Sequence, residues 1–141
     1  MSPVTNTNYV RASILIITYL LMISFASSNE NISEIKFSSI DSNFHISVKS
    51  KIDPIPLNQI HQWVVHITNQ NNEPVINATL TIDGGMPAHN HGLPTQPVAT
   101  EIGQGNYLIE GVKFSMTGNW ELWLFITTET LSDKVKITLQ L

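Results

Sequence analysis

Beyond residue 36 the chain alternates apolar and polar side chains in short runs. FHISVKS, residues 44–50, places Phe44, Ile46 and Val48 on one face, the period of a half-buried strand. HQWVVHIT, residues 61–68, puts His61, Trp63, Val65 and Ile67 on one face and Gln62, Val64, His66 and Thr68 on the other. Its three apolar members mark the core side. VINATLTID keeps Ile76, Ala78, Leu80 and Ile82 in phase, and NWELWLFITT sets Trp120, Leu122, Leu124 and Ile126 against Trp123 and Phe125. KVKITLQL closes the chain with Val135, Ile137, Leu139 and Leu141 in register. VATEI and YLIEGVKF flank GQGN, a hairpin turn, and NQNNEP is a turn cluster. About seven short strands separated by polar turns predict an all-β protein, a sandwich of two sheets.

Residues 1–28 follow another pattern. Arg11 precedes ASILIITYLLMISFASS, an apolar run that closes on small residues between Ala26 and Ser28. This is the layout of a secretory signal helix. The run is short beside the roughly 20 apolar residues of a membrane span, so a cleaved leader is expected, with an uncleaved anchor as the alternative. Residues 29–141 then form one domain outside the cytoplasm, periplasmic or otherwise exported, with no membrane insertion after cleavage.

Composition narrows the function. Apolar residues make up 42% of the chain and charged ones 13%, which excludes a disordered protein. Without Arg11 six lysines face eleven acidic residues, the opposite of the basic footprint that nucleic acid requires. The chain has no cysteine, so disulfides, thiolate metal sites and a cysteine nucleophile are ruled out.

The candidate chemistry lies in GGMPAHNHGLPTQP, residues 84–97. Gly84 and Gly85 are suited to positive φ at the strand exit. Pro87, Pro94 and Pro97 fix their own φ and push Met86, Leu93 and Gln96 toward extended backbone. An extended His89-Asn90-His91 segment would set both imidazoles on one side, about 6.5 to 7 Å apart at Cα. Met116, in SMTGN before the Trp120 strand, sits on a second loop that a sandwich can bring to the same end. Thioethers with imidazoles favour copper, and Cu(I) in particular. Zinc stays open if Asp83 or Glu101 supplies a further donor.

No catalytic set accompanies these residues. The Gly-x4-His-x-His spacing touches the cupin pattern, but Gln96 stands where a cupin needs a glutamate, and no second cupin motif follows. No nucleophile elbow or phosphate loop is present, and Glu110 and Glu121 fall on separate strands. The expectation is a protein that is not an enzyme.

IHQWVVHIT, EPVINATLTIDGGMPAHNHGLPTQP and GQGNYLIEGVKFSMTGNWELWLFI together resemble the YtkA-like and FixH-like group of exported bacterial β-sandwich domains. The signature is a His-x-Trp strand, a Met-Pro-x-His-x-His-Gly-x-Pro loop and a Phe-x-Met-x-Gly-x-Trp strand. The resemblance spans roughly residues 57–141. It implies an immunoglobulin-like, or CopC-like, sandwich and a link to copper handling or to assembly of copper-containing respiratory complexes. On it, Met86, His89, His91 and Met116 fall on the group's Met and His positions, and His61 on its strand histidine, as a further ligand or a supporting group. Two readings follow. One is a copper-binding or copper-delivery module that serves an acceptor protein of the envelope. The other is a metal-free interaction domain whose rigid loop docks a partner.

Overall fold

The structure, a computed structural model, describes residues 34–141. The signal-helix assignment to residues 1–28 lies outside the described residues. Nine strands follow in chain order: β1 (Glu34–Ser38), β2 (Phe44–Ser50), β3 (His61–Asn69), β4 (Thr79–Met86), β5 (His91–Gly92), β6 (Val98–Gly103), β7 (Asn106–Val112), β8 (Asn119–Thr127) and β9 (Ser132–Gln140). They form two antiparallel sheets, β1-β2-β3-β7-β6 and β5-β4-β8-β9. With the edge strands β1 and β5 set aside, the rest follow the A-B-E-D and C-F-G arrangement of an immunoglobulin constant domain. The seven strands read from sequence are these seven; β1 and β5 are additions at sheet edges.

Alternation built the core as the pattern required. Phe44, Ile46 and Val48 from β2 and Trp63, Val65 and Ile67 from β3 pack against Trp120, Leu122, Leu124 and Ile126 from β8, all buried. Val135, Ile137 and Leu139 of β9 close that layer. His61 shares the inward face of β3 and is buried with it. The turn 103–106 carries positive φ at both central residues, Gln104 and Gly105, the twist that matches a two-residue hairpin.

One strand starts later than its pattern indicates. Ile76 is not in phase with Leu80: it is exposed, and β4 begins only at Thr79. The reason is the crossover between sheets. The Val75 N–H donates to the Ile67 carbonyl, Asn77 takes left-handed backbone, and the Tyr107 hydroxyl clamps the connection. That hydroxyl donates to the Val75 carbonyl at 2.9 Å and accepts the Ala78 N–H at 3.1 Å. A second clamp joins the β1–β2 turn to β9: the Asp133 carboxylate accepts the N–H groups of Asp41 and Asn43 and the Asn43 side-chain amide.

The start of β3 and the end of β7 pair at one end of the sandwich, His61 opposite Val112. Asn119 pairs with Gln140 where β8 starts and β9 ends. Gly118 and Leu141 exchange backbone hydrogen bonds beside that pair. The Met and His loop leaves β4 here.

Candidate functional site

The loop is a small hairpin folded back on β4. Gly84 and Gly85 do not form its exit bend; both lie inside β4, and only Gly84 has positive φ. Their smallness serves close approach instead. A Cβ on Gly84 would run into the Glu121 carbonyl of β8, and one on Gly85 into the His91 carbonyl of β5. Met86 is extended, as a residue before proline must be, and Pro87 opens a single 3-10 turn, Pro87–His89. Asn90 then reverses the chain in left-handed backbone, a conformation its short polar side chain tolerates. His91 pairs with Met86 and Gly92 with Gly85, and the Leu93 N–H donates to the Gly84 carbonyl.

The His89-Asn90-His91 segment is therefore not extended. The turn nonetheless brings the two imidazoles together, with ring centres 6.1 Å apart and planes 36° to each other. Both residues are exposed. His91 Nδ1 lies 3.0 Å from the Gly92 carbonyl oxygen. A carbonyl only accepts, so Nδ1 carries a proton in this contact, and in the neutral ring Nε2 is the nitrogen with the free lone pair.

The second loop reaches this hairpin through Trp120 and Gly118. The His91 ring meets the Trp120 indole edge-on, 5.5 Å between centres. The same indole donates its Nε1–H to the Met116 carbonyl at 3.1 Å. Met86 is buried, and its methyl group occupies the space a side chain on Gly118 would need. Met116 is 41% exposed. The structure thus joins Met86, His89 and His91 on one hairpin and ties the Met116 loop to it. The sequence reading placed Trp120 in the core and missed its part in the site. Its signal was the alternation Phe114, Met116, Gly118, Trp120, which aligns the second loop's key residues two apart.

His61 stands apart from this group. It lies at the start of β3 in the opposite sheet, with the Phe114 ring tilted against it at 5.6 Å between centres and the Trp120 ring 5.1 Å from that of Phe114. Burial pushes its imidazole below the ordinary histidine value, and the bond to the Gln59 carbonyl opposes this less strongly. That bond takes Nδ1–H and leaves Nε2 buried without a partner. His61 contacts the Phe114 ring, which in turn contacts Trp120.

Among the described residues no three of His, Asp, Glu or Cys converge on a common point. Asp83 accepts the Gly84 N–H and Glu101 the Asn77 N–H, so both carboxylates are engaged locally. The donors the structure brings together at the hairpin are two imidazoles, with Met86 in the same hairpin and Met116 on the loop tied to it. A metal–imidazole bond of about 2 Å sets a ring centre about 3 Å from the ion, so rings sharing one ion lie within about 6.5 Å of each other. The His89–His91 separation falls inside that reach.

A family model described as YtkA-like matches residues 41–125, more than half of the chain. The chain belongs to the YtkA-like family. The match runs from the β1–β2 turn into β8 and takes in Met86, His89, His91, Met116 and Trp120. No curated protein and no solved structure matches the chain.

Proposed function

We propose that this YtkA-like domain is an exported copper-binding module that holds Cu(I) at its hairpin and passes it to an acceptor protein. The observation that carries the reading is the His89–His91 pair, presented on a braced hairpin to which Trp120 ties the Met116 loop. Imidazole with thioether is a donor set that favours the soft, reduced ion. His89, His91 and Met116 supply exposed donors, and Met86 supplies a thioether at the hairpin base. A set without thiolates is immune to disulfide formation in an oxidising compartment. It also releases its ion more readily than a thiolate site, which suits delivery. Export rests on the leader pattern at residues 1–28, and the acidic balance supports no nucleic-acid role.

A Cu(I) competition titration tests this on the wild type, the double variant His89→Ala/His91→Ala and the double variant Met86→Leu/Met116→Leu. Met86→Leu conserves core volume, so metal-free melting temperatures stay comparable. The histidine variant is expected to lose most of the affinity, and the methionine variant its preference for Cu(I) over Cu(II). Equal binding by all three proteins would overturn the copper site and leave the hairpin as a docking element.

A further inference from the structure

The outward face of the five-stranded sheet carries a second concentration of nitrogen donors, toward the end of the sandwich away from the hairpin. Strand register fixes its layout. Lys36, Ser47 and His66 oppose one another in one row across β1, β2 and β3, and Ser38, His45 and Thr68 form the adjacent row. Their neighbours Phe44, Ile46 and Val48 point into the core, so these six face outward. Strands lie about 5 Å apart and same-face residues about 7 Å apart along a strand, which groups Lys36, His45 and His66 around Ser47. A groove of about 460 Å³ runs over them, with Asn72 at its rim.

Charge and protonation say what the groove takes. Glu34, the acidic residue lining the groove, is opposite Lys49 in the strand register, so the two charges on this face stand side by side. Lys36 is opposite a serine, and the ion pair found among the described residues, Lys136 with Glu121, lies on the other sheet. The Nδ1 atom of His66 is buried without a hydrogen-bond partner. A neutral ring avoids burying an unmade donor by carrying its proton on Nε2, so His66 offers the groove an N–H. Lys36, His66, His45 and the hydroxyls of Ser38, Ser47 and Thr68 make a surface rich in donors. A metal cation would meet the Lys36 ammonium and one carboxylate, Glu34.

We propose that this face binds a small oxyanion, phosphate or a polycarboxylate, held by Lys36, His45 and His66 around Ser47. The site is independent of the copper reading, because it uses none of the hairpin residues. Amide and imidazole NMR shifts are followed while the full chain is titrated with inorganic phosphate, with citrate and with chloride at constant ionic strength. Saturable shifts confined to β1, β2 and β3 with phosphate or citrate, and none with chloride, are expected. The tighter of the two distinguishes a phosphate site from a carboxylate site. Lys36→Gln, an exposed change that leaves the fold intact, should weaken binding about fivefold, as loss of a charge-assisted hydrogen bond near a surface does. His66→Gln, checked for an unchanged melting temperature, should do the same, with His89 and His91 unshifted throughout. Linear shifts equal to those with chloride, or affinity unchanged by Lys36→Gln, would overturn the proposal.

Discussion

The His91 imidazole and the buried Trp120 indole meet in a T-shaped contact, their planes at 70° and ring centres 5.5 Å apart. T-shaped contact is a preferred arrangement of aromatic rings and helps hold the imidazole in one orientation. Because the indole N–H is committed to the Met116 carbonyl, one side chain positions elements of both loops. Trp120→Phe keeps a ring in the core but removes that donor. The orphaned carbonyl and the smaller ring together should destabilise the protein by about 1 to 3 kcal/mol. Amide exchange in residues 115–118 should accelerate without metal, and Cu(I) affinity should fall. Unchanged exchange would show that the indole does not hold the second loop.

Gly85 gives a sharper test of the hairpin. A methyl group there has no room beneath the His91 carbonyl, so Gly85→Ala must part β5 from β4. β5 is two residues long and lies at a sheet edge, so the main core is spared. The melting temperature should drop modestly, while the close approach of His89 and His91 is lost. Nuclear Overhauser contacts between the two rings report this directly. Their persistence in Gly85→Ala would mean that the turn alone sets the pair.

The sandwich was legible because seven strands obey a period of two and the connections carry turn residues. The edge strands were not. β1 has only five residues, mostly exposed, and β5 exists because the chain reverses at Asn90. Local propensity gave no sign of that reversal, since His-x-His reads equally well as extended backbone. The two glycines read as positive-φ residues at the strand exit, whereas close packing on both flanks of β4 is what excludes a side chain there. Met86, His89 and His91 were visible as a cluster in sequence. Trp120 was hidden as a site residue because its core phase explained it completely. His61 was grouped with the hairpin by motif, and only the third dimension shows that its ring contacts Phe114, which contacts Trp120.

The two faces of β3 and β8 predict unequal tryptophans. Trp63 is 3% exposed and packs on His61 and Phe114, so Trp63→Ala should cost about 3 to 5 kcal/mol. Trp123 points outward, with Lys134 and Lys136 ammonium groups 5.1 and 5.7 Å from its ring. Its removal loses cation–π contacts of about 0.5 to 1 kcal/mol each at an exposed site. Urea unfolding should place Trp63→Ala well below Trp123→Ala; equal midpoints would refute the assignment of faces.

Acid should weaken the fold through Asp133. Burial alone would raise its carboxyl pKa, but bonds from the Ser39 hydroxyl and the backbone N–H groups of Asp41, Lys134 and Asn43 outweigh it and bring the value to about 2, from 3.8 unfolded. A carboxyl held lower in the folded state favours folding wherever the unfolded chain would otherwise take up a proton first. Its contribution is complete above about pH 4 and drains away as pH falls toward 2, up to about 2 kcal/mol in all. His61 acts in the same sense at higher pH: its folded value lies below 6.5, so stability declines as pH falls from 6.5 toward that value. Asp133→Asn removes the charge and turns part of the acceptor into a donor facing three backbone N–H groups. At pH 7 the variant should be less stable than wild type, and the gap should close as pH approaches 2. Thermal melts at pH 7, 4 and 2 measure it; a gap that stays constant would show that the clamp acts by shape and not by charge.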